Sequence, residues 1–156
     1  MSVSTHAARS RAVRARAYGG PGALRVLLLA FAAVQLGEAL FMAAAPHAFY
    51  EAVGPFGARN DHYVRDVASF YGALGVGCAL AVRRPSWRVP VLAIMLVEYA
   101  LHSANHLLDI DSAHPAWTGY LDFVALAATS VLLAWMLALA RAQARSTAPN
   151  PKGPDR

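Results

Sequence analysis

Two stretches of the chain, Val26–Gly37 and Val124–Ala140, carry no charged side chain at all. A helix lying on a soluble core must show water a polar stripe along one side, and neither stretch has one. They belong to four apolar segments, at about 24–45, 64–83, 90–109 and 118–140. Each is close to the ~20 residues that cross the hydrocarbon core of a bilayer as an α-helix. None alternates apolar with polar residues as a barrel strand does, and a barrel needs at least about eight strands. In lipid every backbone polar group must be paired within the segment, which leaves helices. Only 15% of the residues are charged, against roughly 25% in soluble domains. The expected fold is an all-α integral membrane four-helix bundle, up-down-up-down, forming one domain at 23–141.

The flanks differ in kind. Residues 1–22 are basic, contain no acid and end Gly19-Gly20-Pro21-Gly22. They read as a disordered cytoplasmic tail, as do residues 142–156. The first apolar segment ends Ala43-Ala44-Ala45, which resembles a signal-peptide cleavage site. It is longer than the 7–15 residues of a signal peptide's apolar region, and Pro46 follows at once, so it reads as a retained span. The single cysteine, Cys78, excludes an intrachain disulfide framework and a Cys-rich metal cluster. There is no nucleophile elbow, phosphate-binding loop or dinucleotide fingerprint.

Loop charge predicts orientation, because Lys and Arg collect on the cytoplasmic side. Arg9, Arg11, Arg14, Arg16 and Arg25 precede or open the first span. Arg83, Arg84 and Arg88 occupy the second loop, and Arg141, Arg145, Lys152 and Arg156 follow the last span. Only Arg59 and Arg65 of the 14 basic residues fall on the other side. This predicts a multi-pass protein of the cell inner (plasma) membrane with both termini cytoplasmic. The net charge of +5 is then an orientation signal and a contact for anionic lipid, not a nucleic-acid surface. The lipid bilayer is the expected partner; a homo-oligomer or a membrane partner protein would supply any further helices. Phe49, Tyr50, Phe56, Tyr63, Trp117 and Tyr120 fit an aromatic belt on the outer side. Asn60 or Asp61 can cap the second span, and Ser86 the third. Within residues 46–59, Phe49, Tyr50 and Val53 can share one face of a short interfacial helix ended by Gly54-Pro55.

Orientation turns the polar residues inside the spans into a layer. Glu38 and His102 each lie about 10 Å below the outer end of their helix at 1.5 Å per residue. His106, Asp109, Asp66 and Asp122 are shallower, and Glu98 is deepest. Glu98, His102, Asn105, His106 and Asp109 recur at helical spacing on one face. Gln35 and Glu38 share a face of the first helix. Ser69, Ala73, Gly77 and Ala81 give the second a small-residue stripe suited to close helix contact. An ionisable residue inside a membrane is costly without a partner and points to function. Asp66, His106 and Asp109 also have a structural reading, as wetted or capping groups, and Arg65 can snorkel outward.

Three chemistries fit such a cluster. His102 and His106, at i and i+4, can offer two imidazoles to a divalent metal ion, with Asp66, Asp109 or Glu38 completing the shell. Ser103 follows the first histidine, so the His-Glu-x-x-His pattern of zinc proteases is missing. Alternatively, a proton-linked or small-molecule pocket opens outward. The third reading is a non-enzymatic scaffold or assembly partner in which the cluster only locks helix packing. No particular reaction follows from these residues.

Pro46-His47-Ala48-Phe49-Tyr50, Gly54-Pro55-Phe56, Asn60-Asp61-His62-Tyr63-Val64-Arg65-Asp66 and His102-Ser103-Ala104-Asn105-His106-Leu107-Leu108-Asp109 look familiar together. They resemble an uncharacterised group of small four-span membrane proteins of actinobacteria, with a layout broadly similar to DoxX-like bundles. The resemblance covers roughly residues 24–140. It implies fold and membrane location and carries no activity. It marks Asn60, His62, Arg65, Asp66, His102, His106 and Asp109 as residues to test.

Overall fold

A computed structural model describes residues 21–147. Most of both expected tails, at 1–20 and 148–156, lies outside the described residues. Among the described residues there are five α-helices: α1 (Pro21–Ala44), α2 (Pro46–Ala52), α3 (Asp61–Arg83), α4 (Arg88–Leu108) and α5 (Ala116–Thr147). Short 3₁₀ turns at Pro85–Trp87 and Ile110–Ser112 join the later ones. Among the described residues the expectation of an all-helical fold holds. Three of its helical segments, Gly22–Ala44, Pro85–Leu108 and Ala116–Thr147, are long and apolar enough to cross a membrane. At 23 residues α3 has the length, but Asp61, Arg65, Asp66 and Arg83 keep it below the apolarity of the others. Large apolar side chains face outward around the bundle, among them Leu40, Leu101, Val124 and Val131.

The helix ends follow local chemistry. Asn60 caps α3 by accepting from the backbone N–H groups of His62 and Tyr63, at 3.1 and 3.3 Å. This satisfies donors that the first turn would leave unpaired. Ser86 does not cap α4; it lies inside the 3₁₀ turn, whose Trp87 N–H donates to the Arg84 carbonyl at 3.0 Å. α2 ends at Ala52, close to the expected Gly54-Pro55 stop. α5 runs to Thr147, into the expected tail at 142–156. Good helix formers such as Ala142, Gln143, Ala144 and Arg145 continue it. Its 32 residues make about 48 Å at 1.5 Å per residue, more than the ~30 Å of a bilayer core.

Packing comes mainly from two antiparallel pairs, α1 with α3 and α4 with α5. In the first pair Gly72 sits opposite Ala39 and Gly75 opposite Leu36. In the second, Ser103 Oγ lies 3.4 Å from Ser130 Oγ, and Arg88 Nη1 donates to Gln143 Oε1 at 3.0 Å. Direct contact between α1 and α5 is slight. The stripe expected on α3 is only partly inward: Ala81 is buried and Gly77 meets Val91, whereas Ser69 and Ala73 are exposed. A strict four-residue repeat advances 40° per step on a helix of 3.6 residues per turn, so it winds off any one face. Gly72 and Gly75 make the close approach to α1 instead.

The main core lies toward the end of the bundle that holds residues 21, 85 and 147, here the terminal end. It joins Leu24, Leu28, Cys78, Leu92, Met95, Leu133 and Met136. A smaller cluster of Met42, Ala68 and Tyr71 packs with Phe49 near the opposite, loop end. There Phe56 forms a backbone bridge to the buried Ala113, tying the first loop to the third.

Candidate functional site

Between the two helix pairs a cleft of about 550 Å³ runs from the loop end toward the main core. α1 contributes Leu27, Ala30, Phe31, Val34, Glu38 and Met42, a helical stripe. α5 contributes Asp122, Ala125, Leu126, Thr129 and Leu132, again at helical spacing. Tyr71 of α3 and Tyr99, His102 and His106 of α4 join them. Phe49, Val53, Gly54 and Phe56 line the loop end.

The polar residues are ordered as a chain along α4. His102 Nδ1 lies 3.3 Å from Glu98 Oε1, and His102 Nε2 lies 3.2 Å from His106 Nε2. The i, i+4 spacing stacks the three side chains one turn apart. The His106 ring meets the Phe56 ring edge-on at 4.7 Å. Glu38 of α1 is within electrostatic range of His102 and Glu98, and Asp122 of α5 is within range of His106 and His102. Glu98 Oε2, His106 Nδ1 and Asp122 Oδ2 are buried and have no hydrogen-bond partner in the protein. Below them Tyr99 donates to Gln35 Oε1 at 3.2 Å, and Gln35 is fully buried.

With both imidazoles neutral and a proton shared across the 3.3 Å Glu98–His102 contact, the row has two internally consistent polarities. With Glu98 ionised, His102 donates from Nδ1 and accepts at Nε2. His106 must then carry its proton on Nε2, leaving Nδ1 as a bare acceptor. With Glu98 protonated and donating, each proton moves one position along, and His106 Nδ1 becomes a donor. One proton at Glu98 therefore sets the hydrogen-bonding character of a nitrogen two side chains away.

Five of the expected residues, Glu38, Glu98, His102, His106 and Asp122, are brought together. The others stand apart. Asp66 pairs with His62 at 3.4 Å, with side chains 61% and 79% exposed. It precedes the cleft residue Val67 by one position, a 100° turn round the helix. Asn105 is exposed for the same reason beside His106. Asp109 is the exposed C-cap of α4, donating its N–H to the Asn105 carbonyl at 3.0 Å. Arg65 is exposed as well. The expected metal set of His102, His106, Asp66 and Glu38 thus loses Asp66. The two histidines direct a nitrogen each at one another rather than at a shared ion. Among the described residues no group of three or more His, Cys, Asp or Glu is placed to hold a metal.

Tyr71, Tyr99 and Phe56 were not among the expected site residues. Tyr99 had a readable signal, since Tyr99, His102 and His106 fall at i, i+3 and i+7. Phe56 had none, because its place depends on the bridge to Ala113. A second depression, lined by Tyr50, Glu51, Pro55, Gly57, Ser112 and His114, shares no residue with the cluster. In comparisons with known proteins, no family model, no curated protein and no solved structure matches the chain.

Proposed function

We propose that this chain is a four-pass membrane protein, both termini cytoplasmic, whose bundle holds a small ligand in the cleft at its outer end. α3 serves as the fourth pass, its acids and arginines lying near its ends. The ligand is held by His106, Asp122 and Glu38, with Glu98 and His102 setting which nitrogen of His106 carries the proton. The observation that carries this reading is that two cleft-lining residues hold buried polar atoms without protein partners, His106 Nδ1 and Asp122 Oδ2. A buried polar group left unpaired costs about 1–3 kcal/mol, which a bound donor would offset. A cluster serving only as packing glue would satisfy its own members. The mutual histidine contact favours an organic ligand over a metal ion.

The test is retention. Protein purified in mild detergent is extracted with organic solvent, and the extract is examined by mass spectrometry beside His106→Ala and Asp122→Asn variants. One molecule retained near stoichiometry by the wild type and lost by folded variants supports the reading. Retention of nothing by the wild type, or equal retention by all three, sinks it and favours a scaffold in which the cluster is structural.

A further inference from the structure

Resting on that reading, we infer that the ligand is a membrane-borne amphiphile with a neutral hydroxyl head, and that it reaches the cleft sideways, between α1 and α5. The cleft is graded in polarity along its length. Its loop end holds Glu38, Asp122, His102 and His106, whereas ten or eleven residues deeper it is walled by Leu27 and Leu132. That separation is about 15 Å along either helix, so one long molecule can lie head up and tail down. The loop end is roofed by Phe49, Val53, Gly54 and Phe56, and Phe56 is fastened to Ala113 by the backbone bridge. The flank is open: Ala30, Val34 and Ala125 line the cleft and are also exposed. In a bilayer that flank faces hydrocarbon, so what arrives by it is lipid-soluble.

The head is fixed by chemistry. No Lys or Arg lines the cleft, so a phosphate or carboxylate head would meet the carboxyl groups of Glu38 and Asp122 with no permanent cation to offset its charge. Asp122 Oδ2, unpartnered on a cleft-lining residue, accepts hydrogen bonds, as His106 Nδ1 does when it carries no proton. A head that donates satisfies both. A hydroxyl does so without carrying a charge into the membrane, where charge is costly.

Three photoreactive probes with the same sixteen-carbon, diazirine-bearing tail test this: a primary alcohol, its methyl ether and the matching carboxylic acid. Each is crosslinked to the purified full chain, and the labelled peptides are mapped. The alcohol is expected to label Leu27–Val34 and Ala125–Leu132 roughly tenfold more than the ether, the loss of one hydrogen bond of ~1.4 kcal/mol. It should also exceed the acid. Val34→Trp, which crowds the open flank from an exposed position, is expected to cut alcohol labelling by a similar factor in protein of unchanged helicity. Equal labelling by ether and alcohol, or preference for the acid, overturns the hydroxyl head. Undiminished labelling of Val34→Trp overturns lateral access. If none of the probes labels the cleft while a water-soluble molecule is retained in the extraction experiment, the amphiphile fails and the pocket stands. If nothing is retained and nothing labels, both fail.

Discussion

His102 and His106 face each other with their Nε2 atoms 3.2 Å apart, so one ring donates and the other accepts. Both cannot present a proton there at once. Because His102 Nδ1 also lies at ion-pair distance from Glu98, 3.3 Å from Oε1, the three groups form one continuous row of contacts, and their mutational effects should not add. Glu98→Gln, His102→Ala and the double variant form a cycle that thermal unfolding in detergent can read. A coupling on the order of 0.6 kcal/mol, and no more than about 1.7, is expected by analogy with polar contacts between membrane helices. Strict additivity would show that the contact is incidental.

The separation of inner from outer polar residues gives a contrast. His62→Ala and Asp66→Asn remove an exposed pair and should change stability by less than about 1 kcal/mol. Both should leave ligand retention unaltered. His106→Ala should abolish retention at similar stability. Loss of retention in Asp66→Asn would return Asp66 to the site.

Gly119 and Gly37 should behave in opposite ways. A Cβ on Gly119 would collide with the Ile110 carbonyl oxygen, whereas one on Gly37 meets nothing within 4 Å. Gly119→Ala must push α5 away from the Ile110–Ser112 turn, at a cost of about 1–3 kcal/mol. Gly37→Ala should be neutral or stabilising by up to ~1 kcal/mol, since alanine is the better helix former. Detergent melting curves of the two variants settle the matter; similar midpoints would mean the turn is not held against α5.

Removing the cap of α3 should loosen the loop end. Asn60→Ala leaves the His62 and Tyr63 N–H groups without their acceptor and is expected to cost about 0.5–2 kcal/mol. Amide exchange at the start of α3 should rise, with the main core unaffected. Unchanged protection there would mean that the cap contributes nothing.

Topology can be checked directly. A reporter fused after Arg156 should be active only if its chemistry works in the cytoplasm, and one inserted near Gly57 only if it works outside. The reverse pattern would overturn the orientation read from the arginines.

The helices were legible because apolarity and helical spacing are local properties. Val26–Gly37 and Val124–Ala140 can bury their backbone only as helices in an apolar setting, whatever surrounds them. The Asn60 cap was legible for the same reason. α3 was harder to read, because its acids and arginines weaken the apolar signal while its glycines serve contacts with α1. Within the site, depth and phase found Glu38, Glu98, His102, His106 and Asp122. They also drew in Asp66, Asn105 and Asp109, because a face read from one helix is broad, and only the neighbouring helices say which part of it turns inward.

By itself, then, the sequence determined the helical class and the residue types from which a site could be made. The tertiary structure decided which of those residues meet. α1 pairs with α3 and α4 with α5, and the slight contact between α1 and α5 leaves a cleft that no single helix encodes. A step of one residue turns a side chain by 100°, so the difference between Val67 in the cleft and Asp66 outside it lies in how the helices dock, not in the composition of either one.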